Sequence, residues 1–287
     1  MYKQYDIIFI STCTSDAYIN TYLSSVLNNN NTVDICIVFL LQNDLRYNEV
    51  LKNEKITIHY IYTSTILSLS RARNICLNYI KQSGIYSRYI MFPDDDTTFD
   101  KHFFQNFNKV VSSNMLIDVM CEGSTIPYVS LSKFKDRDLV TSHKYAMSVN
   151  MIIKSDNVFE IGDFDEQLGV GAKYGAGEDG DYFIRVCKKY GPFVYTNKLW
   201  NYHPSADDKY RQISLLKLLR RYKTYGEGVI YLLVKHKMYF QAIKCILSGF
   251  AGAFIALFLK FNAKLSIARL YGGITRFNVF CKLLLKK

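Results

Sequence analysis

Residues Arg88–Asp96 read RYIMFPDDD, a short apolar run that stops at three consecutive aspartates. Such a run between polar residues indicates a buried strand, and open α/β sheets place their ligands at the carboxyl ends of strands. Like charges about 4 Å apart repel by roughly 4 kcal/mol at an effective dielectric constant near 20. Asp94, Asp95 and Asp96 therefore indicate a hard cation such as Mg²⁺ or Mn²⁺, which prefers carboxylate oxygen. A solvated acidic turn is the alternative.

Strands and helices alternate in the first hundred residues. The apolar patterns predict strands over Tyr5–Ser11, Val33–Leu41, Ile56–Tyr62 and Arg88–Phe92, and helices over Ala17–Leu27 and Leu69–Lys81. This order is typical of βαβ units. It predicts an α/β fold with a mixed, mostly parallel sheet that helices cover on both faces.

A second block is predicted over residues 101–208. Its patterns indicate helices over Asp100–Ser113 and Asp179–Lys189, and strands over Tyr145–Ile153, Phe193–Tyr195 and Leu199–Tyr202. Residues 162–177 contain five glycines, which are Gly162, Gly169, Gly171, Gly175 and Gly177. Glycine permits backbone conformations that other residues avoid, so this segment is either a loop that closes over a ligand or an irregular connection.

The net charge of +11 is concentrated in the last quarter of the chain. Residues 209–287 contain 16 Lys or Arg and one acid, Glu227, whereas residues 1–208 contain 20 basic and 24 acidic residues. The uncharged run Cys245–Leu259 is short for a spanning helix, which needs about 20 residues. We expect residues 209–287 to form a basic amphipathic helical region that lies on an anionic membrane surface. A tilted or re-entrant span and an ordinary helical subdomain are the alternatives.

Seven cysteines are scattered singly, without the paired spacing of zinc or redox sites. Because their number is odd, a complete set of intrachain disulfides is excluded, and we expect a reduced, cytoplasmic protein at the inner face of the cell membrane. The apolar stretch that follows Met1 is too short for a signal peptide and predicts a first strand.

Four sequence clusters occur in an order that resembles the family-2 glycosyltransferases with a GT-A fold, especially bacterial enzymes of surface-polysaccharide synthesis. The clusters are SRARN at Ser70–Asn74, FPDDD at Phe92–Asp96, GEDGD at Gly177–Asp181 and WNYHP at Trp200–Pro204. The resemblance covers roughly residues 5–205. It implies a GT-A catalytic domain over residues 1–208, with a nucleotide-sugar half (1–100) and an acceptor half (101–208), followed by the basic region.

The resemblance implies a donor and metal site at the three aspartates. A nucleotide-sugar diphosphate gains negative charge when the sugar leaves, and Mn²⁺ or Mg²⁺ neutralises that charge as a Lewis acid. The expected donor is a UDP-sugar. By analogy, Asp94 faces the nucleotide ribose and the metal, and Asp96 and His203 ligate the metal. Asp95 is a further nucleotide contact, because three adjacent acids permit more than one register; for His203 a structural role is the alternative.

The resemblance also implies a general base, for which we select Asp179. Its carboxylate would take a proton from the acceptor hydroxyl that attacks the anomeric carbon, in a single displacement with inversion. Glu178 and Asp181 are the predicted acceptor contacts. The alternative is an acidic helix start that the helix dipole favours.

Three further residues are predicted to contact the nucleotide. The Arg73 guanidinium suits a phosphate, Thr12 lies in the turn that follows the first strand, and Asp44 follows the second strand. The family often has a proline near the first of these turns and an Asp directly after the second strand. This chain has Thr12-Cys13-Thr14 and Gln42-Asn43-Asp44 instead, so the identity of the nucleotide stays open.

Two other functions fit part of the sequence. Asp94, Asp96 and Thr98 match the D-x-D-x-T motif of haloacid-dehalogenase-type phosphatases, but that motif usually opens its domain, and here about three strands precede it. A non-catalytic membrane- or nucleic-acid-binding protein would use the basic tail. A nucleic-acid site needs stacking aromatics beside the charge, and the tail tyrosines lie among leucines instead. The expected partners are therefore a nucleotide-sugar, a saccharide or lipid-linked acceptor and an anionic membrane, and not a nucleic acid.

Overall fold

A computed structural model describes residues 4–47, 53–121, 126–129, 143–205 and 213–285. The chain forms two compact units. The first consists of residues 1–67, 71–164 and 179–206, and the second of residues 68–70, 165–178 and 207–287. The domain boundary predicted between residues 208 and 209 lies outside the described residues.

The strands of the first unit form one mixed sheet. They are β1 (Gln4–Cys13), β2 (Ile35–Leu41), β3 (Ile56–Tyr62), β4 (Tyr86–Met91), β5 (Thr98–Phe99), β6 (Met115–Cys121), β7 (Pro127–Val129), β8 (Met151–Lys154) and β9 (Val194–His203). Their order is β3-β2-β1-β4-β8-β6-β9-β5, and β7 pairs with β6. The pairs within β1–β4 and the β6–β9 pair are parallel, whereas β8 runs antiparallel to both of its neighbours. The predicted mixed, mostly parallel α/β sheet is confirmed.

The helices α1 (Ile19–Asn29), α2 (Leu69–Gln82), α3 (Phe103–Val110), α4 (Ser155–Ile161) and α5 (Glu178–Tyr190) accompany these strands. Every residue of β2 is buried, as its continuous apolar run predicts for a strand covered on both faces. On one side of the sheet, aromatic rings fill the core. The Phe9 ring stacks on Phe99 at 4.8 Å between centroids, and Phe99 also meets Phe103 of α3 at 4.9 Å. All seven cysteines are free thiols, and five of them are buried.

The strand predicted over Tyr145–Ile153 is wrong in its first part. Residues 148–150 form a 3₁₀ turn, and β8 begins only at Met151. The side chain of Asn150 causes this difference, because it accepts a hydrogen bond from the Met147 N–H (3.0 Å) and donates one to the Tyr145 carbonyl (3.1 Å). Such side-chain bonds to the backbone compete with a strand ladder.

Two other predicted boundaries also change. The two short strands expected near the end of the block are one strand, β9, whose pairing with β6 is interrupted so that residues 197–199 lie outside the ladder. Helix α3 begins at Phe103 and not at Asp100, because the Asp100 side chain accepts a hydrogen bond from the His102 N–H (2.8 Å) in a turn that precedes the helix.

The second unit contains α6 (Leu215–Lys235), α7 (Tyr239–Phe258) and α8 (Ala263–Leu284), so the prediction of a helical tail is confirmed for residues 215–284. Glycines allow the helices to approach closely. A Cβ on Gly249 of α7 would lie 2.9 Å from the Gly273 Cα of α8. Helix α7 is long and apolar enough to cross a membrane, with a mean hydropathy of 1.7, and 33% of its apolar window is buried.

Residues 165–178, which we call the glycine segment, pack on α6 within the second unit. The Asp165 carboxylate accepts hydrogen bonds from Lys235 Nζ (2.8 Å) and from the Tyr231 hydroxyl (3.2 Å). The Tyr174 ring stacks on Tyr231 at 4.3 Å. An ion pair and a ring stack thus fix the glycine segment against this helix.

Candidate active site

Asp94, Asp96 and His203 lie together at the carboxyl end of β4. Pro93 carries the chain from β4 to the acids, and His203 is the last residue of β9. His203 Nε2 lies 3.2 Å from Asp96 Oδ1 and 3.5 Å from Asp94 Oδ2, and the possible ligand atoms of all three residues lie within 4.8 Å of one another. Two carboxylates and one imidazole suit Mn²⁺ and similar divalent ions. The three predicted metal ligands therefore meet at one point of the sheet.

The two carboxylates also control the charge of His203. Burial disfavours the imidazolium, but hydrogen bonds and charge from Asp94 and Asp96 outweigh burial and raise the pKa of His203 to about 10. In the metal-free protein the imidazolium therefore offsets part of the charge of the two acids. A divalent cation requires the neutral imidazole, so its binding would release this proton.

Asp95 has a different surrounding from its two neighbours. Its carboxylate lies beside the Cys13 thiol at the end of β1, where burial first and the Asp95 charge second raise the pKa of Cys13 well above its usual range. The alternation of side chains along the acidic run thus directs Asp94 and Asp96 to His203 and directs Asp95 to β1. The contact of Asp95 with a nucleotide stays a prediction.

Asp179, the second residue of α5, is held at both carboxylate oxygens. Oδ1 accepts a hydrogen bond from Arg73 Nη1 (2.8 Å), and Oδ2 accepts one from the Ser148 N–H (2.8 Å). The side chain is 19% exposed. Burial raises the pKa of Asp179; the Arg73 charge opposes this shift and the Asp94 charge adds to it. A carboxylate with a raised pKa is a better proton acceptor near neutral pH.

Arg73 connects this carboxylate to Asp94, one of the predicted metal ligands. Its guanidinium is 3% exposed, with Nη1 on Asp179 and Nη2 3.5 Å from Asp94 Oδ1. The Phe92 and Phe164 rings flank it at 5.9 and 5.3 Å from their centroids. A cation in this position brings two like-charged carboxylates together and fixes where each one points. The predicted contact of Arg73 with a nucleotide stays a prediction.

The other predicted nucleotide contacts lie at the same edge of the sheet. Thr12 is not in a turn, because β1 continues to Cys13 and Thr12 pairs with Leu40 of β2. Asp44 is exposed in the turn that follows β2, with a positive φ of 54°. Thr12 lies near the carboxyl end of β1 and Asp44 follows that of β2, where ligands of parallel sheets bind. Their contacts with a nucleotide stay predictions.

The two predicted acceptor contacts are buried. Glu178 begins α5 and is 9% exposed. The Asp181 carboxylate accepts a hydrogen bond from Arg185 Nε at 2.9 Å, and the same guanidinium donates to the carbonyls of Ile161 and Asp163 at 3.1 and 2.8 Å. Asp181 therefore helps to fasten the turn after α4 to α5. The contacts of Glu178 and Asp181 with an acceptor stay predictions.

Sequence reasoning did not find Ser148. Its backbone N–H binds Asp179, and its hydroxyl lies 3.5 Å from Asp94 Oδ1. No motif marks the residue, and the segment has the apolar pattern of a strand. Only the 3₁₀ turn that replaces this strand directs Ser148 to the site.

The chain resembles known proteins in structure and not in sequence. No protein-family model matches it, and no curated protein matches its sequence. The S. aureus TarS 1-349 structure is 14% identical, with a TM-score of 0.53 and a match that covers 98% of this chain and 92% of that chain. The same protein in complex with UDP-GlcNAc is 15% identical, with a TM-score of 0.51, over 98% of this chain and 92% of that chain.

A second kind of neighbour is the mannosyltransferase PcManGT from Pyrobaculum calidifontis in complex with GDP-Man and Mn²⁺. It is 9% identical, with a TM-score of 0.59, and the match covers 96% of this chain and 88% of that chain. The fold is therefore GT-A-like, as in these glycosyltransferases.

Proposed function

We propose that this chain is a metal-dependent, inverting glycosyltransferase of the family-2 type. It transfers one sugar from a nucleotide-diphosphate donor, expected to be a UDP-sugar, to a saccharide or lipid-linked acceptor in cell-surface polysaccharide synthesis. One observation carries the proposal: Arg73 links the candidate base to the candidate metal site. Its guanidinium binds Asp179 and contacts the proposed metal ligand Asp94. The nucleotide-sugars and the Mn²⁺ in the neighbouring structures agree with it.

The donor binds, in this proposal, along the carboxyl edge of β1, β2 and β4. Asp94, Asp96 and His203 hold Mn²⁺ or Mg²⁺, since their oxygens and imidazole nitrogen already face one another. When bound, the ion neutralises the charge that develops on the leaving diphosphate. Thr12, Asp44 and Asp95 face the nucleoside part of the donor.

Asp179 receives the proton of the acceptor hydroxyl. Arg73 and Ser148 hold one carboxylate oxygen each, so the carboxylate cannot rotate away from an incoming hydroxyl. Orientation of this kind is a large part of catalysis, because misplacement by 1 Å can lower the rate by about 10²-fold. A single base, with no second carboxylate acting as a nucleophile, leads to one displacement and inversion at the anomeric carbon.

Donor binding tests the metal part of the proposal. We expect UDP- or GDP-sugars to raise the melting temperature of the protein in the presence of Mn²⁺ and much less in EDTA, because a ligand of the native state stabilises it. Asp96→Asn should abolish the Mn²⁺-dependent shift. Asp156→Asn removes the same charge from an exposed residue of α4 and should retain the shift. Equal losses in both variants would contradict the metal site.

The rate of sugar transfer tests the assignment of Asp179 as the general base. We expect Asp179→Asn to retain donor binding and to lower the rate of transfer by 10²-fold or more, as for other general bases. The anomeric configuration of the product, measured by NMR, should be inverted. Full turnover by the Asp179→Asn variant would show that another group takes the proton.

The second unit is proposed to bind the inner face of the cell membrane. Helices α7 and α8 expose large apolar side chains, among them Phe240, Leu247, Phe254, Phe258, Ile267, Leu270, Ile274 and Phe277. Basic residues lie on the same helices and between them. This combination suits an amphipathic surface that inserts apolar groups and binds lipid phosphates.

A further inference from the structure

A cavity of about 510 Å³ lies within the second unit, between the glycine segment and the first three turns of α6. Gly171, Ala172 and Gly175 form one wall. Because their side chains are absent or small, this wall leaves room for a ligand and exposes backbone to it. The volume lies in the range of small-ligand sites in proteins.

The opposite wall is cationic. Lys217, Arg220 and Arg221 line the cavity from α6, and no acid is among its lining residues. Their spacing of three and four residues puts them on one helix face, where like charges repel one another. Among the residues that the structure describes, neither Lys217 nor Arg220 forms an ion pair, and both are exposed. An anion in the cavity would relieve this repulsion.

The side chains of this cationic wall favour phosphate over other anions. The Arg221 guanidinium lies over the Tyr225 ring at 4.5 Å from its centroid, which restrains its orientation. Planar guanidinium groups bind phosphate oxygens in pairs, and a lysine adds a point charge. Two arginines and one lysine around a space of this size therefore suit a phosphate group together with part of the molecule that carries it.

We propose that this cavity binds a phosphate group of the acceptor, an inference that rests on the proposed function. The glycine segment forms one wall of the cavity, and Gly175 precedes Asp179 by only four residues in the chain. The donor diphosphate has its own site at the metal ligands, which are residues of the first unit. The carrier of the bound phosphate is either a soluble phosphodiester polymer or a lipid head group.

Phosphate titration without metal or donor tests the cavity alone. We measure the affinity for inorganic phosphate by calorimetry in EDTA for the intact chain. Lys217→Gln combined with Arg220→Gln should weaken phosphate binding by tenfold or more, because hydrogen bonds to charged groups are the strong ones. Lys223→Gln combined with Lys237→Gln removes the same net charge outside the cavity and should change the affinity by less than about twofold.

A substitution on the other wall keeps every cation in place. Ala172→Glu adds a carboxylate to the cavity and should also weaken phosphate binding. Phosphate affinity that is unchanged in both cavity variants, or equally reduced in the Lys223 and Lys237 control, would overturn the proposal. The Mn²⁺-dependent donor shift should be the same in all variants. If the wild-type protein showed no Mn²⁺-dependent donor shift, the proposed function would be refuted. The phosphate titration would still test the cavity by itself.

Two carriers are then compared as competitors of phosphate. A soluble glycerol-phosphate oligomer should compete if the acceptor is a phosphodiester polymer. Phosphatidylcholine vesicles with polyprenyl phosphate should bind more tightly than vesicles with the same fraction of oleate if the acceptor is a lipid. In either case the Lys217 and Arg220 double variant should lose the part of the binding that depends on the carrier's phosphate. A double variant that binds the carrier as tightly as the wild-type protein would contradict the site.

Discussion

Arg73 is the residue on which the geometry of the site depends. Its guanidinium is almost fully buried between the carboxylates of Asp179 and Asp94. We expect Arg73→Gln to lower the rate of transfer by about 10²-fold, because Asp179 loses the donor that orients it. The Arg73 charge lowers the pKa of Asp179, so its removal raises that pKa further. The acidic limb of the pH–rate profile should therefore move to higher pH.

Arg71 provides the control for this prediction. It lies two residues earlier on α2, is exposed, and has no ion-pair partner among the described residues. Arg71→Gln should leave both the rate and the pH profile unchanged. If Arg73→Gln retained the wild-type profile, the guanidinium would not act on the base, and the phosphate contact predicted from the sequence would become the better explanation.

At the scale of elements, α6 approaches the backbone of the glycine segment closely at Gly228. A Cβ on Gly228 would overlap the Ala176 carbonyl oxygen and would lie 2.7 Å from the Ala176 nitrogen. Both are backbone atoms, which cannot rotate away. We expect Gly228→Ala to reduce the free energy of unfolding by about 2 kcal/mol or more, as overpacking does. Denaturant titration, followed by circular dichroism, measures this change.

Gly226 lies two positions before Gly228, on nearly the opposite face of α6, and serves as the comparison. A Cβ there would lie 2.9 Å from Arg276 Nε, which belongs to a side chain and not to the backbone. Alanine favours a helix over glycine by about 1 kcal/mol, which offsets the adjustment of Arg276. Gly226→Ala should therefore be close to neutral. Equal effects of the two substitutions would mean that the contact at Gly228 relaxes without cost.

Some of these elements follow from local sequence patterns, and others do not. Strands such as β2 are predictable because continuous apolar runs have few alternatives to a buried strand. The acids of the cluster that could hold a metal are predictable because Asp94 and Asp96 come shortly after β4 and resemble a known motif. The pairing of Arg73 with Asp179 joins residues 106 positions apart, and no local pattern records it. The turn at Ser148 depends on one side chain, Asn150, which overrides an apolar pattern.

At the scale of the whole molecule, α7 and α8 expose an extended apolar surface. Large exposed patches of this kind mark interaction surfaces. Phe254 and Phe258 are 61% and 56% exposed, and their rings contact each other at 4.6 Å. Lys244 and Lys260 lie near the two ends of α7. Such a surface can insert its rings below the lipid head groups while its cations bind lipid phosphate.

We expect the protein to float with vesicles that contain anionic lipid, and to float less with neutral vesicles or at high salt, because salt screens the basic residues. Phe254→Asp combined with Phe258→Asp should reduce vesicle binding by tenfold or more, since burial of one aromatic side chain contributes about 1.5–3 kcal/mol. Phe159→Asp alters a residue of α4 that is 39% exposed in the first unit and should have no effect on flotation. Sedimentation of the same variants separates membrane binding from self-association. A double variant that still floats but changes from dimer to monomer would show that the apolar surface binds a second copy of the chain and not a bilayer.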